Sequence, residues 1–232
     1  MLDKIPDYIA AVAALGTSAA ALVDAGKAFD GGVSNCGFHR IRAVITRLFP
    51  DTATPDDRNN PLDLGAVIDT LRANWLNGTA LADQKAIAKS LIKLRLDVEN
   101  AAHLAKATGV DAAALTKIAG KIQAGTALGP EDTNVFGRFD LILTALLDEG
   151  YQRADQIYRN SARAWAVAVS VILAVFGGAA IWVPQQGQSY FTSADLVVAV
   201  LVGLIATPLA PVSKDLISAL SAAVKTMQAL RK

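Results

Sequence analysis

The single cysteine, Cys36, and one of the two histidines, His39, stand three residues apart, close enough to share a helical turn as a nucleophile and its base must. No third group that would orient the histidine lies nearby, and an unpaired cysteine commonly serves as a small buried hydrophobe. His103 is far away in sequence, so cysteine and histidine make no zinc-spaced cluster. No glycine-rich phosphate loop, metalloprotease helix or nucleophile elbow is present. The expectation is a protein with no catalytic residues, no metal and no cofactor.

Two other patterns concern binding. Lys85, Lys89 and Lys93 recur every fourth residue and make a basic stripe, either a solvated helix face or a contact for anionic lipid headgroups. Ala162, Ala166, Ser170, Ala174 and Gly178 likewise recur every fourth residue, and Ala199, Gly203 and Thr207 offer a second small face. In lipid such faces let helices approach closely and gain dispersion contacts. They predict either a hairpin closed on itself or an interface between subunits. Asp195 could ring a pore mouth in an oligomer, or complement the positive end of a helix.

These residues are carried by unusually apolar elements. The run 164–183 holds twenty residues without a charge, flanked by Trp165 and Trp182, and at about 1.5 Å per residue it covers about 30 Å, a bilayer core. A second uncharged run, 196–213, contains Pro208 and Pro211, which predict a kink or an end. Between them PQQGQSYFTS reads as a turn, with Thr192-x-x-Asp195 resembling a capping box. The prediction is a transmembrane hairpin over 161–213, with helices at about 164–183 and 194–212. Neither helix has an ionisable residue near its centre, which disfavours a pump or transporter.

Lysine and arginine flank the hairpin and are missing from its turn, so the positive-inside tendency predicts a bacterial inner-membrane protein with both termini cytoplasmic. A net charge of +1 provides no field for nucleic acid.

The rest predicts helices. Alanine, leucine and valine are plentiful and aromatics make up only 6%, which favours helix over strand. Residues 1–160 are expected to form a cytoplasmic bundle with a membrane-proximal stalk. Residues 8–23, mostly alanine, read as a buried helix of that bundle or as a third membrane segment. A long helix is expected over about 80–107, with Ile87, Leu91, Leu94, Val98 and Ala101 as its seam. Pro130 opens a helix, continuous or joined at Gly150, that becomes the first membrane helix. Residues 50–61 read as a loop, and 214–232 as a C-terminal amphipathic helix.

The expected fold is thus all-α, in a lipid bilayer. The function expected first is a homo-oligomeric scaffold or pore; the alternative is a membrane-anchored sensor or adaptor whose bundle binds a cytoplasmic protein partner, such as a signalling or defence effector.

Overall fold

The computed structural model describes residues 4–49, 61–183 and 189–213, together with 215–217, 219, 222 and 223. Residues 50–60 of the expected loop at 50–61, the middle of the turn and most of the C-terminal amphipathic stripe lie outside the described residues. Every regular element among the described residues is a helix. The chain divides into two compact units.

The unit from Ser34 to Tyr158 is a bundle. It contains α2 (Asn35–Leu48), α3 (Leu64–Leu76), α4 (Leu81–Leu94), α5 (Ala101–Thr108), α6 (Ala112–Gln123) and the first part of α7 (Pro130–Ile181). Its core joins Phe38, Ile41 and Ile45 of α2 to Leu71 and Trp75 of α3, and to Phe139, Leu143 and Leu147 of α7. The Trp75 indole N–H donates to the Ser34 carbonyl at 3.0 Å, which satisfies the one polar group the side chain brings inside. Asp63 and Asp111 cap α3 and α6 by accepting from the Gly65 and Ala114 amides.

The long helix expected over 80–107 is broken instead. α4 ends at Leu94 and α5 begins at Ala101. Between them the Asp97 carboxylate accepts from the Asn100 amide at 2.7 Å and from its side chain at 2.6 Å, a local bond that competes with the helical ladder. The break changes the seam: Leu94 and Val98 are exposed, whereas Ile92 and Leu96 enter the core.

α7 runs unbroken through Gly150, which packs on the Val44 side chain where a Cβ would crowd it. Its residues up to Tyr158 belong to the bundle, and those from Arg159 to the other unit.

That other unit combines the chain up to Val33 with the chain from Arg159 onward. It holds α1 (Ile5–Ala25), the end of α7, and α8 (Ala194–Leu209), which a 3₁₀ turn extends over Ala210–Val212. α1 therefore groups with the apolar helices, whereas the sequence reading placed it with residues 1–160. α1 packs on α8, with Gly16 against Ala206, and Ala13, Gly16 and Ala19 are its buried residues. These small side chains let the backbones meet, a better match for another apolar helix than for a core of large side chains.

Three helices are long and apolar enough to cross a membrane: Ile5–Ala28, the apolar end of Pro130–Ile181, and Ala194–Val212. Ile172, Phe176, Ile181, Val197, Leu201, Leu204 and Ile205 point outward from them and are exposed. So much outward apolar surface suits lipid rather than water.

Candidate functional site

The small-residue faces meet within one chain. Ala166 and Ser170 of α7 are buried, and the Ser170 hydroxyl donates to the Gly203 carbonyl of α8 at 2.7 Å. A Cβ on Gly203 would lie 2.5 Å from the Val171 Cα, so only glycine permits this approach. Thr207 lies on the same side of α8 and is half-buried, its hydroxyl without a partner among the described residues. One turn further along α8, a Cβ on Gly16 would collide with the Ala206 carbonyl.

Ala174, Gly178 and Ala199, also members of the small faces, line an open cleft of about 590 Å³ among α1, α7 and α8. Val12 and Leu15 of α1 and Val202 of α8 supply much of its apolar wall. Trp182, Tyr190 and Asp195 stand at the end nearest the turn. The Tyr190 ring packs edge-on to Trp182 with centroids 6.1 Å apart, and its hydroxyl rests on Gly178. Tyr190 is only 5% exposed, yet its hydroxyl has no partner among the described residues. The Trp182 indole donates to the Asp195 carboxylate at 3.1 Å.

Asp195 sits in the first turn of α8, where its charge complements the helix dipole, but the expected capping box is not formed. The Thr192 and Ser193 hydroxyls turn back onto the Ser189 and Tyr190 carbonyls instead.

The basic stripe is engaged within the bundle. Lys85 pairs with Asp148, while Lys89 and Lys93 share Asp140 at 2.6 and 3.0 Å. Partial burial pushes the Asp140 carboxyl up, but hydrogen bonds from the two lysines outweigh it and hold the group below its ordinary value. The lysines fasten α4 to α7, so they are not left as a free surface for headgroups.

Cys36 and His39 are both exposed near the start of α2. The His103 Nε2 lies 3.1 Å from the Arg47 carbonyl, a structural contact between α5 and α2. No group of three metal-ligating side chains occurs among the described residues.

Comparison with protein-family models, curated proteins and solved structures finds no match to this chain. The site must be read from its own chemistry. What the sequence reading missed is the part played by α1: Ala13, Gly16 and Ala19 recur every third residue, a signal hidden among so many other alanines.

Proposed function

We propose that this protein is a membrane-anchored sensor or adaptor: three helices hold it in the bilayer, and the bundle from Ser34 to Tyr158 binds another protein on the cytoplasmic side. The observation that carries the reading is the bond from Ser170 to Gly203, where the two small-residue faces meet. With that contact used inside the chain, Ala166 and Ser170 are withdrawn from any subunit interface. A pore loses support too, since Ser170, one of its few candidate polar wall residues, is buried and bonded.

The same reading assigns a topology. α1 and α8 run parallel, for Ala11, Val12 and Leu15 line the cleft with Asp195, Val198, Ala199 and Val202, while Gly16 meets Ala206 further along both helices. If all three helices span, the start of α1 shares a side with the turn, and the bundle lies on the other. The charges favour this: Lys27, Arg159 and Arg163 stand at the bundle end, against Lys4 alone at the start of α1 and no lysine or arginine between Trp182 and Asp195. We therefore place the N-terminal end outside and the bundle and C-terminal end in the cytoplasm, in a bacterial inner membrane. This replaces the expectation of two cytoplasmic termini, which held only for a two-helix anchor.

Self-assembly as a scaffold is the second reading, favoured by the small residues Ala174, Gly177 and Gly178 still facing an open cleft. Mass measurement in lipid nanodiscs separates the two. A single 24.2-kDa chain is the expected result; a closed oligomer would overturn the adaptor and favour the scaffold.

A further inference from the structure

We propose that the cleft among α1, α7 and α8 binds one phospholipid with a primary-amine headgroup, of the ethanolamine type, in the leaflet that contacts the turn. The inference rests on the membrane-anchored reading above.

The cleft is open and apolar, and its volume of about 590 Å³ falls in the range, about 300–1,000 Å³, of pockets that hold small molecules. In a bilayer the molecules that surround such a groove are acyl chains. Val12, Leu15 and Val202 give a chain apolar walls, while Ala174, Gly178 and Ala199 leave room for it. These residues recess the surface without adding polar groups that would need partners.

The mouth carries the selectivity. One oxygen of Asp195 accepts from Trp182, and the side chain remains exposed and able to accept from an ammonium group. No lysine or arginine lies from Trp182 to Asp195 or among the residues that line the cleft, and Lys4, before α1, is the one base at that end among the described residues. Tyr190 supplies the independent sign of a missing ligand, since the side chain lines the cleft and is 5% exposed, while its hydroxyl, set against Gly178 at the cleft wall, lacks a partner among the described residues. A phenol in this position normally finds a hydrogen bond. A phosphate or ester oxygen of a seated lipid would accept one, while the ammonium group meets Asp195.

The test uses Trp182 as the reporter. The full chain is reconstituted in phosphatidylcholine nanodiscs containing brominated phosphatidylethanolamine, phosphatidylcholine or phosphatidylglycerol at equal mole fraction, and the quenching absent from Trp182→Phe is assigned to Trp182. We expect the ethanolamine lipid to be favoured about tenfold over phosphatidylcholine, whose headgroup carries the same positive charge but no N–H to donate, because a hydrogen bond to a charged group is worth about a decade in affinity. Asp195→Asn should abolish the preference but keep the quenching, and Ala174→Phe, which fills the cleft, should reduce quenching by all three lipids. Equal quenching by the three lipids in the unmodified chain would overturn the inference and leave the anchor standing. Quenching of Trp165 but not Trp182, with Ala174→Cys cross-linking between copies, would overturn it in favour of a second chain in the cleft. Quenching of neither tryptophan would overturn the membrane reading itself.

Discussion

At the residue scale, the same kind of atom does different work according to what surrounds it. Ser170 spends its hydroxyl on a backbone carbonyl across a helix contact. Replacing it by alanine should cost about 0.6 kcal/mol, the average for hydrogen bonds between membrane helices, and should slightly lower the unfolding midpoint in detergent. Gly203→Leu should be far more damaging, because the Val171 backbone occupies the space. It should separate the hairpin, read as lost protection from proteolysis near residue 203, and intact protection would show that the helices do not touch there. Asp140 belongs to aqueous electrostatics. Its carboxyl is held below the ordinary value, so the folded state favours the charged form. That stabilisation is complete above the carboxyl's unfolded pKa and is lost as pH falls through the depressed folded one. Asp140→Asn should therefore lower the midpoint at neutral pH and flatten the acid limb of a stability–pH curve, whereas an unchanged limb would show that the lysine pairs contribute nothing.

At the scale of elements, close backbone approach recurs where α7 meets its neighbours. In the bundle, a Cβ on Gly37 of α2 would lie 2.5 Å from the Ala154 carbonyl of α7. Gly37→Val should force these helices apart and cost about 1–3 kcal/mol by overpacking, seen as a lower midpoint in circular dichroism. Gly137, also in α7, faces open space, so Gly137→Ala should stabilise by about 0.5–1 kcal/mol through helix propensity alone. If both substitutions behaved alike, the packing account of Gly37 would be wrong. The break between α4 and α5 belongs to this scale too, since no glycine or proline marks it and one aspartate makes it.

At the scale of the whole molecule, the parity of spans decides which parts of the chain share a side. Three crossings put the start of α1 with the turn, whereas two would put it with the bundle. With Cys36 replaced by serine, single cysteines at Asp7 and Ser189 should both react with an impermeant maleimide added to intact cells, and one at Thr116 in the bundle should react only after lysis. Labelling at Ser189 without labelling at Asp7 would show that α1 does not cross.

What could be read from the amino-acid sequence was whatever one segment encodes by itself. The apolar length of 164–181, the polar turn after it and the alanine-rich composition fix helices of spanning length, because both hydrophobic length and helix propensity are local properties. The small-residue stripe was legible too, but not its partner, since Ala166 and Ser170 would look the same against α8 or against another chain. Tertiary structure decided that pairing, with the Ser170 hydroxyl reaching the Gly203 carbonyl thirty-three residues away. It also decided the place of α1, whose apolar run suits a bundle core or a bilayer equally until Gly16 is seen against α8. The cleft has no sequence signature at all, because it is a space bounded by three helices distant in the chain. Periodicity describes the surface a helix offers; only packing selects the surface that receives it.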